Sequence, residues 1–250
     1  MRLIHRHATG FTITEMAVVL VIVALLLGGL IVPLSTQHDI VNFNATQITI
    51  DDVRDALVGF AIANDRLPCP AAGATGGAES PIGGGTCTNA YDGFVPAVTL
   101  GLPTRDPYGY LLDAWGNKIH YAVTTANSKA FTTQNGMKSY AGGFGLLAPD
   151  LYVCTTATWI TSTSCGTAPG SPPPTTTLAN KAIAVIFSTG KNTATGGTGA
   201  DEAANLANKP FFVFHEPRPA TSANGEFDDI VTWLSPNILY NRMVAAGRLP

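Results

Sequence analysis

One carboxylate interrupts an otherwise uncharged apolar run near the start of the chain, and that run constrains everything after it. Residues 11–34 read FTITEMAVVLVIVALLLGGLIVPL, with Glu15 as the only ionisable side chain. The ten residues before it, MRLIHRHATG, carry Arg2 and Arg6 and no acid. As a helix, the uncharged stretch 16–34 reaches about 28 Å at ~1.5 Å per residue, close to the hydrocarbon thickness of a bilayer. That length predicts a membrane span. A secretory signal peptide has a shorter apolar core and a small-residue cleavage site behind it, and Ser35-Thr36-Gln37 offers no such site. A carboxylate inside a span costs about 2.5–3.5 kcal/mol on the insertion scale, so it calls for a partner of opposite charge. The basic leader stays on the cytoplasmic side and sends the remainder of the chain outward.

The register Gly10-Phe11-Thr12-Ile13-Thr14-Glu15 ahead of an apolar run resembles the processing site of type IV pilins and type II secretion pseudopilins. In that family a prepilin peptidase cuts after the glycine, the new terminal residue is N-methylated, and a glutamate occupies the fifth mature position. The resemblance implies processing between Gly10 and Phe11 and an assembly role for Glu15, whose carboxylate would meet the Phe11 amine of a neighbouring subunit. It also implies three segments: a leader at 1–10, a transmembrane and polymerisation helix at 11–34, and a periplasmic globular domain at 35–250. The expected location is the inner membrane, single-pass, with assembly into a pilus or pseudopilus. The expected partners are the peptidase, other pilin or pseudopilin subunits and the membrane itself. The size of the chain and its long loops point to a minor subunit. The alternative is a membrane-anchored or pilus-tip adhesin using the same loops.

Composition narrows the remaining classes. Charged residues make up 12% of the chain and the net charge is −3, so a basic stripe for nucleic acid is not expected. Gly190-Lys191 lacks the spacing of a phosphate-binding loop, His215-Glu216 lacks the second histidine of a zinc protease, and no G-x-S-x-G elbow is present. An enzyme is not expected. The four cysteines are Cys69, Cys87, Cys154 and Cys165, with no C-x-x-C pair. An even count in an exported domain predicts two disulfides. Three pairings exist on paper, and the sequence-local one, Cys69–Cys87 with Cys154–Cys165, is expected.

The expected fold is α+β and pilin-like: a long N-terminal helix, half span and half amphipathic, packed on an antiparallel sheet with long loops. Ile50, Val53, Leu57, Phe60 and Ala61 follow helical spacing, and Pro68 and Pro70 end the helix near Asn64. Strands are predicted near 118–124, 182–188 and 210–214, all supplying the apolar face under the helix. The segments 69–93, 155–177 and 190–208 read as loops projecting away from the helical spine. Ser235 and Pro236 mark the start of a short terminal helix, 237–246, and Gly247 its stop.

Two further motifs enter through the resemblance. Asp113-Ala114-Trp115-Gly116-Asn117 with Tyr121 is similar to the D-x-W-G-N-x-x-x-Y segment of major pseudopilins, with Lys118 where proline is usual. Residues 188–192, later joined by 225–233, resemble a glycine-rich loop that binds calcium in those proteins. The implied ligands are Asp228, Asp229, the Thr189 carbonyl and Asn192, the last standing where an aspartate is usual. Calcium takes six to eight oxygens, so amide and backbone oxygens serve alongside carboxylates.

Overall fold

The computed structural model describes residues 12–104, 106–170, 175–195 and 199–250, the side chains of 27–36 and 194–195 excepted. Gly10 and Phe11 therefore lie outside the described residues. The chain divides into two units, Met1–Asn42 and Phe43–Pro250, and helix α1 (Ile13–Asn64) contributes to both.

In the first unit α1 starts on a reciprocal cap. Thr12 precedes the first helical residue, and its backbone N–H and hydroxyl both donate to Glu15 Oε2 at 2.9 Å. The Glu15 amide returns a bond to Thr12 Oγ1 at 3.3 Å. Thr12 and Glu15 thus form the T-x-x-E capping box that satisfies helix-end donors in pairs. Apolar side chains from Ile13 to Leu26 are exposed on the single chain, Leu25 at 72%. Among the described residues no helix is long and apolar enough to cross a membrane. The expected span, 11–34, runs into positions 27–36, whose side chains lie outside the described residues.

The second unit stacks in three layers. Ile50, Val53, Leu57 and Ala61 are fully buried on one face of α1, as their three-to-four spacing requires. Phe60 is not part of that face; it is half-buried with the Arg66 guanidinium 5.1 Å from its ring centre. The helix ends at Asn64, Asp65 takes a left-handed φ of 56°, and the prolines follow. The middle layer is a four-stranded antiparallel sheet in the order β1-β2-β5-β7, made of β1 (Gly93–Phe94), β2 (His120–Val123), β5 (Ala184–Ser188) and β7 (Ile230–Leu234). Tyr121, Val123, Ala184, Ile186, Ile230 and Leu234 face the helix, and Ala122, Val185, Phe187 and Val231 face the opposite side. That alternation is the period-two geometry of a strand. Every residue of β5 is buried because both faces are covered.

The third layer is a second sheet, ordered β4-β3-β6: β4 (Thr177–Ala182) antiparallel to β3 (Leu151–Cys154), and β6 (Phe211–Val213) parallel to it. Leu151, Val153 and Phe212 close over the back of the first sheet. Strand β6 was expected under the helix; it covers the far side instead. The chain passes from one sheet to the other between β4 and β5, just after Lys181, which has φ 62° near the end of β4. Helix α2 (Ala97–Leu100) and the single turn α3 (Ala126–Lys129) are local connectors. Helix α5 (Pro236–Ala245) begins on Ser235, whose hydroxyl accepts from the Ile238 amide, and buries Leu239 and Met243.

Two expected loops carry structure. The stretch 190–208 contains helix α4 (Ala200–Asn205), with Asp201, Glu202 and Asn205 buried. The stretch 69–93 does not simply project from the spine. It folds around Glu79, which is paired with Arg66 and 4% exposed, and Cys87 packs against the helix-side core. The cysteines pair as Cys69–Cys87 and Cys154–Cys165.

Candidate metal centre and assembly helix

The D-x-W-G-N segment is a stapled turn. Asp113 Oδ1 accepts from the Trp115 and Asn117 amides at 2.9 and 2.8 Å, and its Oδ2 accepts from the Ser188 hydroxyl at 2.6 Å. Asn117 Nδ2 donates to the Gly190 carbonyl at 2.7 Å. The motif therefore holds the end of β5 and the first residues of the glycine loop in place. Lys118 leans its ammonium over the Tyr110 ring, 3.7 Å from the centroid, and over Phe94 at 5.0 Å.

From Gly190, with φ 63°, the chain wraps the Asp228 carboxylate. A Cβ on Gly190 would come within 2.4 Å of Asp228 Oδ1, so only glycine allows this approach. The Lys191 and Asn192 amides donate to Asp228 Oδ2 at 2.8 and 3.1 Å. Asp228 Oδ1 is buried and accepts no hydrogen bond. Carboxylate oxygens of Glu202, Asp228 and Asp229 all lie within 4.8 Å of one another. Asn205 Nδ2 donates to Asp229 Oδ2 at 2.6 Å, and the Asp228 amide donates to Glu202 Oε1 at 2.9 Å.

Three close carboxylates repel one another. Burial, joined by the charges of Glu202 and Glu226, pushes Asp228 up to about 6 against two backbone donors. Burial, with Glu202 and Asp228, likewise holds Asp229 well above the ordinary carboxylate range. A hard cation relieves such a cluster. The all-oxygen donor set and the orphaned Asp228 oxygen fit calcium.

Of the residues singled out from sequence, Asp228 and Asp229 come together here. Asn192 stands beside them, but its Nδ2 is directed at the two Glu202 oxygens, 3.0 and 3.2 Å away. The Thr189 carbonyl accepts the Thr193 hydroxyl at 2.9 Å. Glu202 was not found from sequence. It lies in a stretch of alanine, glycine and threonine with no signal linking it to an acidic pair more than twenty residues away.

The family described as the prokaryotic N-terminal methylation motif matches residues 5–31. That match supports a type IV pilin- or pseudopilin-like protein. The match spans the sequence on both sides of the expected cut and includes Glu15, the capping glutamate of α1. The motif supports a pilin-type subunit processed by prepilin peptidase. Its helix-on-sheet arrangement agrees with a pilin-like α+β fold. Neither the curated proteins nor the solved structures give a match.

Proposed function

We propose that this pilin-like protein is a minor structural subunit of a type IV pilus or type II secretion pseudopilus, not an enzyme. It is anchored by one inner-membrane span at 11–34, polymerises through that helix, and presents residues 35–250 in the periplasm. The observation that carries the reading is the methylation motif at 5–31 with Glu15 in register. Two disulfides accord with an oxidising compartment. Calcium at the carboxylate cluster would stabilise the folded domain by binding it and not the unfolded chain.

Sheared surface filaments test the proposal. Immunogold labelling should find the chain along or at the end of filaments, and a strain without the assembly ATPase should keep it in the inner membrane. Retention as a membrane monomer in both strains contradicts it.

A second reading, a tip-located binding module, draws on one feature. A hollow of about 670 Å³ is lined by Tyr108, Tyr110, Lys118 and the glycines of 73–76 and 109. Tyr108 is 72% exposed beside it. Loss of surface adhesion by Lys118→Pro, with filaments intact, favours this reading.

A further inference from the structure

We infer that the hollow beside Tyr108 and Lys118 is a binding site for an acidic sugar, a pyranose ring that bears a carboxylate. The inference rests on the binding-module reading of that hollow and names its ligand.

The first argument concerns charge. Among the described residues Lys118 is the one charged side chain on the lining of the hollow. Its ammonium stands over a T-shaped pair, the Tyr110 and Phe94 rings, which meet at 75° with centroids 5.6 Å apart. Tyr110 is fixed beneath it, 2% exposed, with its hydroxyl donating to the Ala72 carbonyl at 2.8 Å. Among the described residues no carboxylate pairs with Lys118. Asp106, close by in sequence, turns its Oδ2 to the Tyr110 amide at 3.2 Å instead. An ammonium ordered by two rings, in a concave site with no acid on its lining, favours an anion.

The second argument concerns the floor. Gly76 and Gly77 run against Gly109, with left-handed φ values of 58°, 70° and 80°. A Cβ on Gly77 would overlap the Gly109 carbonyl, and one on Gly109 would lie 2.6 Å from the carbonyl oxygen of Gly76. Only glycine permits this approach. The segment is also pinned at its ends. The Ala72 carbonyl accepts from the Thr75 amide and hydroxyl at 3.1 and 3.0 Å, and the Val98 amide donates to the Gly77 carbonyl at 3.0 Å. The result is a preorganised floor of bare backbone. Among the described residues the backbone N–H and C=O groups of Gly73, Ala74, Gly76 and Tyr108 make no hydrogen bond within the chain, and all four residues are exposed.

These features meet in one kind of ligand. Sugar hydroxyls need both donors and acceptors, which the free backbone groups supply. The C–H face of the ring needs an apolar platform, which the exposed Tyr108 ring supplies, and the ammonium answers the carboxylate. A neutral sugar leaves Lys118 without a partner, and a simple anion leaves Tyr108 and the floor unused. The volume, about 670 Å³, lies within the ~300–1,000 Å³ of small-ligand sites.

The full chain in detergent micelles, titrated with methyl β-D-glucuronide, tests this by NMR at the Tyr108 ring and the Lys118 ε-methylene. Both signals should move in one saturable transition. Methyl β-D-glucoside, the ring without the carboxylate, and acetate, the acid without the ring, should each bind at least about tenfold more weakly, the scale of one charged hydrogen bond. Lys118→Gln should weaken glucuronide binding by a like factor, and Lys118→Arg should keep it. Tyr108→Ala, a change at an exposed side chain, should also weaken it, and decides the matter should Lys118→Gln fold poorly. Equal binding of glucuronide and glucoside, unchanged binding by Tyr108→Ala, or no shift at tens of millimolar glucuronide overturns the inference. The adhesion reading fails separately. If the glucuronide binds while filaments of Lys118→Gln adhere normally, the ligand stands and the adhesin role is wrong. If it does not bind while Lys118→Pro still abolishes adhesion, the ligand is wrong and the binding-module reading survives.

Discussion

Arg66 and Glu79 meet as a two-pronged pair, Nη1 to Oε2 at 2.8 Å and Nη2 to Oε1 at 2.7 Å, in a site almost closed to solvent. The same carboxylate accepts from the Cys69 and Gly83 amides at 3.1 and 3.0 Å. Burial by itself would raise the Glu79 carboxyl; the Arg66 guanidinium and these amides outweigh it and hold it below its ordinary range. The pair fixes the first disulfide loop to the end of α1.

Removing one member of a buried pair leaves the other uncompensated and costs about 3–5 kcal/mol. Glu79→Ala should therefore lose about that much in urea unfolding of the full chain in detergent. Replacing both with apolar residues, Arg66→Met with Glu79→Leu, should lose less than Glu79→Ala alone. A double variant as unstable as the sum of the two single ones contradicts this account.

His120 predicts a pH dependence. Its ring stacks on Phe187 at 4.7 Å and lies 4.9 Å from Phe94. Burial lowers its pKa from 6.5 to about 4. Asp92 stands 3.7 Å from Nδ1 without a hydrogen bond, so burial prevails over the ion pair. Below 6.5 the unfolded chain takes up a proton that the folded one refuses until about 4, so stability falls as pH drops through that window. The full loss is on the order of 3 kcal/mol. His120→Phe should flatten the slope between pH 6.5 and 4 relative to wild type. Parallel curves for the two proteins contradict the assignment.

The disulfides close loops with sequence separations of 18 and 11 residues. Loops of this size contribute roughly 3 kcal/mol each in the chain-entropy model. Non-reducing peptide maps should recover Cys69–Cys87 and Cys154–Cys165. Cys154→Ser with Cys165→Ser should lower the unfolding midpoint and leave membrane insertion unchanged. Crossed pairs in the map contradict the arrangement.

Glu15 caps α1, and the proposed assembly role is separable from that one. The capping box uses Oε2, leaving Oε1 without a hydrogen-bond partner among the described residues. Glutamine also serves in a capping box but carries no charge. Glu15→Gln should therefore insert like wild type yet enter filaments as poorly as Glu15→Ala. Normal assembly of Glu15→Gln would mean that helix capping, not charge pairing with a neighbour, is what assembly requires.

What sequence made legible followed from periodicity and punctuation. Ile50, Val53, Leu57 and Ala61 mark their face by spacing, and the Ser235-Pro236 pair marks a helix start whatever packs around it. Phe60 was misassigned because one position at the edge of a helical stripe turns either way. A run such as Phe211–Val213 announces a strand but not the sheet it joins, which depends on the chain crossing near Lys181. Helix α4 was hidden because its buried residues, Asp201, Glu202 and Asn205, are types that ordinarily face water. Their burial has meaning only beside Thr156, Asp229 and Val213, which are far away in sequence. The same distance hid Glu202 from the carboxylate cluster, while Asp228 and Asp229 were visible through a loop resemblance.

The mass of the chain's N-terminal peptide, taken from the native membrane, tests the central claim most directly. A pilin-like subunit should begin at Phe11 and carry one extra methyl group on its terminal amine. A peptide that still begins at Met1, or one cut beyond residue 30, would contradict the account.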